Sequence, residues 1–492
     1  METLVGDDMQ LSLSANTQIR RVEVIGLHGS ADINVSLNPG LNVIYGRNGT
    51  GKTTLLHILA NLLDGDLERF THLRFERLRV VNDAGTVISL DRYDVSDVGA
   101  VRLAIDGQST TLVQRNEATP ITTRKALRQH LGGRPVYLPA FRVILEAISR
   151  QRVERYTADH RADEMRRLRD VEMEEPNLSA PDEQPLFSRR TRYLHERAES
   201  IAYKTILCRE WFGRFVPTVR FPSLSEVAEE LNNEYQAAQW SLAHRDRAAF
   251  SDVFVEVLKT VLSREAAAPG EDATELLSSI KQHLANLQEV TATVPSAYSK
   301  FAGLIPEGKL VPRGPEAIAT RILKLYDSAL RDRIEAQQQE FNRIRTFEGS
   351  VNRFLQDKRL VLGGEDQQAP PSRRGAARVR MNSGREASLT TLSSGERHVL
   401  TLLFSATHMV SADGMLLIDE PELSLHVDWQ RSILSELSAQ AGNRQIVACT
   451  HAPEVAADHT EFMVNLDPTG YHPVEQQALS LGGEEVDRKG EQ

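Results

Sequence analysis

The sequence has few cysteines and no long apolar run. Its two cysteines, Cys208 and Cys449, stand far apart, which excludes a disulfide framework and a C-x-x-C metal pair and suits a reducing cytoplasm. The longest apolar stretch, Val399 to Val410, contains His408 and is too short to span a bilayer. The N-terminus has neither the basic start nor the apolar core of a secretion signal, so the expected location is cytoplasmic, without membrane association. Nor is there an excess of positive charge: 58 Lys and Arg against 68 Asp and Glu leave a net charge of −10. That argues against the whole molecule coating nucleic acid or an anionic surface. Sustained heptads are missing as well, so a long coiled-coil arm is not expected. What remains, 492 residues of which 40% are hydrophobic and 26% charged, is an ordinary globular composition with room for about three domains.

The most informative stretch is Gly46-Arg47-Asn48-Gly49-Thr50-Gly51-Lys52-Thr53-Thr54. It fits the phosphate-loop pattern G-x-x-x-x-G-K-[ST] at every fixed position. Glycines let the backbone turn its N–H groups towards an anion, and a helix start adds a positive dipole end. Lys52 supplies a point charge for β- and γ-phosphates, and Thr53 supplies a hydroxyl for a magnesium ion. The context agrees. Gly40-Leu41-Asn42-Val43-Ile44-Tyr45 reads as a short buried strand, and Leu55, Leu56, Ile58, Leu59, Leu62 and Leu63 recur at helical spacing after the loop. A bare Gly-rich turn has no use for a lysine and two threonines in this order.

Around this stretch, Ile19 to Leu37 reads as strands. Phe75 to Val81, Thr86 to Leu90 and Val101 to Ile105 read as further strands joined by turns at 82–85 and at Asp106-Gly107. An antiparallel sheet beside the nucleotide core is expected. After the short apolar strand within Pro135 to Arg142, stopped by a proline, the texture becomes charged and helical, with loops at 173–189 and 264–273 and a long candidate helix from Leu323 to Leu362. Residues 363–380 read as a linker whose Arg373, Arg374, Arg378 and Arg380 serve either solubility or contact with a phosphate backbone.

Chemistry returns at Ser393-Ser394-Gly395-Glu396, a turn opening a helix and a second anion-binding helix start. Taken alone it is weak, because many helices begin with a Ser-x-x-Glu cap. Met415-Leu416-Leu417-Ile418-Asp419-Glu420 then reads as a buried strand ending in two carboxylates at the edge where open α/β sheets bind ligands. Asp419 suits magnesium, and Glu420 suits orienting or deprotonating a water. Ile446 to His451 reads as another buried strand ending in a polar pair, with His451 within reach of a γ-phosphate or of that water.

These pieces, in this order, resemble the ATP-binding cassette (ABC) ATPases, and more closely the SMC/RecF/OLD branch, whose two half-cassettes are split by an insert. The resemblance implies an α/β fold: a split P-loop ATPase with a mixed sheet and flanking helices, interrupted by a large, mostly helical insert. Its expected division is 1–142 for the N-terminal half, 143–362 for the insert, 363–380 for the linker and 381–492 for the C-terminal half. It implies ATP and magnesium as ligands, with residues 46–54 at the phosphates, Thr53 and Asp419 at the metal, and Glu420 and His451 as catalytic groups. It also implies a head-to-tail homodimer, open to further assembly, in which Ser393, Ser394, Gly395 and Glu396 of one subunit meet the nucleotide held by Lys52 of the other. Ser394, Glu396 and His426 depart from the transporter pattern and look like the OLD-type branch. No glutamine follows Tyr137–Arg142 at the spacing of the family's Q-loop, and Gln151 lies too far on. Nothing after His451 resembles a metal-binding nuclease domain, so no nuclease is expected within the chain. The phrasing around Asp419–Gln430 resembles the stand-alone ATPase subunits of bacterial anti-phage systems, Septu-type and retron-linked, which implies a separate nuclease or toxin as partner. The alternative is a RecF/SMC-like ATPase of DNA repair or maintenance, with DNA bound directly.

Overall fold

The computed structural model describes residues 17–95, 98–142, 159–173, 185–262, 275–276, 278–283, 316–363, 377–409, 414–456 and 459–470. Of the expected loop at 173–189, residues 174–184 lie outside the described residues, as do the expected loop at 264–273, Arg373 and Arg374; the end of that first loop is helical instead, since a helix begins at Pro185, where proline suits a first turn. The chain forms two compact units, Met1–Phe221 with Ser405–Gln492, and Pro222–Phe404.

The first unit opens with β1 (Ile19–Leu27), β2 (Ala31–Ser36) and β3 (Leu41–Tyr45), followed by α1 (Lys52–Asp64). After a 3₁₀ turn come β4 (Arg77–Asn82), β5 (Val87–Val95), β6 (Val98–Ile105), β7 (Gln108–Gln114), α2 (Ile121–Leu131) and β8 (Val136–Leu138). Helices α3 (Asp159–Met173) and α4 (Pro185–Phe212) complete its first part. The second unit carries α5 (Leu224–Leu262), α6 (Glu316–Asn352), β9 (Lys358–Val361), β10 (Arg378–Met381), β11 (Glu386–Ala387) and α7 (Ser394–Phe404). The chain then returns to the first unit with β12 (Leu416–Asp419), α8 (Val427–Ala441), β13 (Ile446–Thr450), β14 (Met463–Asn465) and β15 (Thr469–Gly470).

Two sheets build the first unit. The antiparallel one has the order β15-β2-β1-β4-β5-β6-β7; β1, β2, β4, β5 and β6 fall on the alternating segments expected to be strands, and β7 and β15 extend the sheet at its two edges. Asp106 and Gly107 both take positive φ, 47° and 79°, the backbone of a two-residue hairpin turn that follows strand twist. The parallel sheet has the order β14-β3-β13-β12-β8. Its central strands are apolar because both faces are covered: Val43, Ile44, Leu416, Leu417, Ile418, Val447 and Ala448 are fully buried. Helix α1 packs its leucines into the same core, where Leu55, Leu56, Leu59, Leu62 and Leu63 are inaccessible or nearly so.

A buried ion network anchors the end of α1. Arg220 donates to both carboxylate oxygens of Asp64, at 3.0 and 2.8 Å, to Glu172 of α3 at 2.7 Å and to the Pro135 carbonyl at 3.0 Å. Burial pushes the Glu172 carboxyl up, but Arg220 outweighs it and holds the group below its ordinary range.

In the second unit α5 and α6 run antiparallel. Tyr235 packs edge-on against Phe341, and Asp246 pairs with Arg333 at 2.7 Å, so numbers rise on one helix as they fall on the other. The long helix stops at Asn352, ten residues short of the expected Leu362. The Asn352 amide group exchanges two hydrogen bonds with the Leu360 backbone, at 3.0 and 2.7 Å. That contact turns the chain back into β9, which pairs with β10. Arg378 and Arg380 stand on β10 and pair with Glu386 of β11 at 3.4 and 2.8 Å.

Candidate functional site

The phosphate loop joins β3 to α1. Gly51 precedes the helix with φ 93°, and a Cβ on Gly46 would come within 2.8 Å of the Leu466 carbonyl oxygen. Both positions therefore require glycine, one for its left-handed backbone and one for close approach. Lys52 Nζ donates to the carbonyls of Gly46 at 2.7 Å and Arg47 at 3.0 Å, so its ammonium is held inside the curve of its own loop. Its side chain is 6% exposed. Burial lowers its pKa, while Cys449, Asp419 and Glu420 act to raise it. Thr50 closes the loop by donating to the Arg47 carbonyl at 3.0 Å. Arg47, Asn48 and Gly49 form its outer rim, and Thr54 lies on the first turn of α1.

Strand order brings the remaining pieces together. β13 lies between β3 and β12, all parallel, so their carboxyl ends share one edge. Thr53 Oγ1 donates to Asp419 Oδ2 at 2.9 Å, across 366 residues of sequence. Burial pushes the Asp419 carboxyl up to about 6; the Thr53 hydrogen bond opposes this and the Glu420 charge adds to it. A hydroxyl and a carboxylate side by side are hard oxygen donors that suit magnesium. Among the described residues no group of three or more His, Cys, Asp and Glu forms a metal cage, so an ion here would take its other ligands from phosphate oxygens and water.

Glu420 follows β12 with φ 51°, a left-handed backbone that is uncommon for a side chain of this size. Its N–H donates to the Cys449 carbonyl at 2.8 Å. Its carboxylate lies 3.6 Å from His451 Nε2. Both side chains are about one-third exposed, 33% and 38%, as groups that meet a solvent-borne ligand must be. His451 is held by Glu422, whose Oε1 accepts from Thr450 Oγ1 at 2.7 Å, from the His451 N–H at 3.1 Å and from the Ala452 N–H at 3.3 Å.

Two residues of this site were not foreseen. Glu422 is one. The other is Arg142, fully buried, which donates through Nη1 to the Asp419 carbonyl at 2.6 Å and through Nη2 to the Glu420 carbonyl at 2.5 Å. Arg142 lies four residues after β8, just ahead of the stretch where a Q-loop glutamine is expected.

The Ser393–Glu396 turn belongs to the second unit. There Ser393 N–H donates to Glu396 Oε2 at 2.6 Å and Glu396 N–H to Ser393 Oγ at 3.3 Å, a capping box at the start of α7. Lys358 holds the same Glu396 carboxylate at 2.8 Å. Ser393 and Ser394 are exposed and Gly395 is buried. The turn is thus rigidly built with its two serines facing outward.

Two family models match the chain. Residues 21–131 match one described as "AAA domain", and residues 243–457 match one described as "AAA domain, putative AbiEii toxin, Type IV TA system". Among curated proteins the chain is similar to the "Retron Vc95 probable ATPase" of Vibrio cholerae serotype O1 biovar El Tor, 29% identical over 97 residues, which are 18% of this chain and 19% of that protein. It is also similar to the "Retron Ec83 probable ATPase" of Escherichia coli, 32% identical over 79 residues, 14% of this chain and 15% of that one. The matched part thus spans less than a fifth of either relative. Among solved structures, the Smc head domain with an extended coiled coil bound to the C-terminal domain of ScpA, from Pyrococcus furiosus, aligns over 90% of this chain and 92% of that one, at 12% identity and a TM-score of 0.34. The SmcHead bound to the C-winged helix domain of ScpA aligns over 92% and 97%, at 8% identity and a TM-score of 0.36. No helix among the described residues is long and apolar enough to cross a membrane.

Proposed function

We propose that this chain, which belongs to the P-loop ATPases with an ABC-type domain split in the SMC and RecF manner, binds ATP with magnesium, hydrolyses it, and uses the cycle to open and close a homodimer that regulates a separate effector. The observation that carries the ATPase reading is the Thr53–Asp419 hydrogen bond of 2.9 Å. It joins the phosphate loop to the carboxylate strand in the arrangement a phosphate-bound magnesium ion needs.

Each residue has one task. Lys52 and the N-terminus of α1 hold the phosphates, the first as a point charge and the second through its backbone N–H groups. Thr53 and Asp419 hold magnesium, which when bound neutralises charge on the phosphate oxygens. Glu420 orients the attacking water and accepts its proton. His451, steadied by Glu422, lies beside Glu420 at the rim, where it can donate to a γ-phosphate oxygen.

The outward serines support the dimer half of the reading: Ser393 and Ser394 of one copy complete the site of the other. ATP then favours the closed pair and hydrolysis the open one, a shift between two populations. The similarity to two retron ATPases supports a defence setting with a partner nuclease or toxin. The test is co-purification from the native operon in ATP. A dimer carrying a nuclease or toxin is the expected result; a dimer carrying DNA instead would move the reading to repair or maintenance. Ser393→Arg should abolish the ATP-dependent dimer while the monomer still binds ATP. Removing the cap costs only about 1 kcal/mol, too little to unfold the unit, so a Ser393→Arg protein that still dimerises with ATP would refute the dimer arrangement.

A further inference from the structure

We infer that Arg142 is the positioning residue for Glu420: it holds the catalytic carboxylate's backbone in its left-handed conformation and ties that backbone to the chain leaving β8. The inference rests on the ATPase reading above for Glu420's role, though not for the geometry.

Burying a guanidinium completely is expensive unless every donor is satisfied, and an apolar residue of similar volume usually gives the more stable fold. Arg142 is nevertheless fully buried. Its hydrogen bonds explain what it does there. Nη1 donates to Pro139, closing its own turn at 2.9 Å, and to the Asp419 carbonyl at 2.6 Å; Nη2 donates to the Glu420 carbonyl at 2.5 Å. A rigid planar fork can satisfy two successive carbonyls at once, which a lysine cannot.

Those carbonyls need such a partner. With φ at 51°, the Glu420 backbone leaves the direction of β12. That conformation is unfavourable for a side chain of this size and persists only where the surroundings over-determine it. The Glu420 N–H is fixed by the Cys449 carbonyl of β13 at 2.8 Å. The carbonyl on its other side accepts from Arg142 Nη2 at 2.5 Å and from the Leu423 N–H at 3.1 Å. Held at both ends, the residue presents its carboxylate to His451 at 3.6 Å. Without Arg142, the Glu420 carbonyl keeps the Leu423 N–H but loses its shorter bond, and the buried Asp419 carbonyl loses the donor that ties it to the same fork. The carboxylate loses its aim while the phosphate loop, closed by its own Thr50 and Lys52 hydrogen bonds, keeps its shape.

The test uses the full chain as Arg142→Gln, Arg142→Lys and Arg142→Ala. By hydrogen exchange, the amides of Glu420 and Leu423 are expected to exchange faster in Arg142→Gln, while those of Val447 and Ala448 in the neighbouring strand stay protected. Unchanged exchange at Glu420 and Leu423 would overturn the positioning role, and so would faster exchange throughout the unit, which would make Arg142 a general fold residue. In turnover, Arg142→Gln should lower kcat about a hundredfold, the loss expected for a misplacement near 1 Å, with KM for ATP changed less than about threefold because Lys52 stays held by its own loop and the Asp419 carboxylate by Thr53. Arg142→Lys should recover part of kcat, and free guanidinium ion at non-denaturing concentration should raise the rate of Arg142→Ala. A kcat equal to the parent's, or a loss carried by KM, would refute the inference. A parent that turns over no ATP would refute the ATPase reading and the catalytic half of this inference, while the exchange result still decides the geometry.

Discussion

Glu420→Gln is expected to bind ATP at least as tightly as the parent and to turn it over about 10²- to 10⁴-fold more slowly, the range for removing a positioned general base. The substitution is close to isosteric, so the left-handed backbone at φ 51° and the bond from its N–H to the Cys449 carbonyl are retained. What is lost is the proton acceptor. The affinity should not fall, because the site is over-supplied with negative charge: Asp419 and Glu422 stand beside Glu420, and the Asp419 carboxyl is pushed up to about 6, by burial first and by these charges in addition. Removing one charge eases the approach of a polyphosphate. Phosphate release under single turnover and the nucleotide retained after gel filtration give the two readouts. A variant that releases phosphate within threefold of the parent's rate would remove Glu420 from the catalytic role.

Arg220→Ala should destabilise the first unit by about 3–5 kcal/mol, the usual effect of removing one partner of a buried ion pair. Arg220 and Asp64 are 5% and 4% exposed, and Glu172 is equally enclosed, with 9% side-chain exposure. Truncation leaves two carboxylates buried without their fork. Asp64 ends the helix that carries Lys52 at its start, so the loss reaches the phosphate loop through α1. A domain is stable by only about 5–15 kcal/mol, so the loss is a large fraction of the whole. The pH dependence has a definite sign. The folded-state pKa of Glu172 is depressed below 4.5; its contribution is therefore full above that value and is lost as pH falls through the folded value. The gap between parent and Arg220→Ala should be widest near neutrality and should narrow below about pH 4.5. Urea unfolding at several pH values measures it, and restoring stability with Arg220→Met combined with Asp64→Asn and Glu172→Gln would identify unpaired charge as the cause. A gap that is small or independent of pH would contradict the account.

How far the sequence could be read follows from how local each signal is. The phosphate loop, the apolar strand ending in Asp419-Glu420 and the strand ending at His451 are contiguous patterns, and they fall on β3–α1, β12 and β13. The Ser393/Glu396 cap is equally local, and its two reciprocal hydrogen bonds form as that spacing predicts. The antiparallel strands from 77 to 105 were legible for the same reason, from alternation and turn residues. Non-local contacts were not legible. Arg142 meets Glu420 across 278 residues, and nothing in its neighbourhood marks it as different from any other arginine after a short strand. Glu422 reads as part of an acidic turn; its work, three hydrogen bonds received from residues 450–452, becomes visible only when β12 and β13 lie side by side. The long helix was read too far because Leu355, Leu360 and Leu362 keep an apolar rhythm beyond its end. Asn352 stops it through a side-chain pairing with Leu360 that periodicity cannot register.

The most direct measurement is nucleotide binding, by titrating ATP with magnesium into the parent and into Lys52→Ala and following phosphate release from both. Lys52 is the cation of the loop, enclosed by the Gly46 and Arg47 carbonyls and 6% exposed. Truncating it leaves the loop glycines, Thr53 and Asp419 in place and removes the charge that meets the phosphates. The account predicts saturable, magnesium-dependent binding and slow phosphate release by the parent. It also predicts an affinity at least about a hundredfold weaker in Lys52→Ala, equivalent to about 2.7 kcal/mol. Equal affinity in the two proteins, or a parent that binds no ATP, would contradict it.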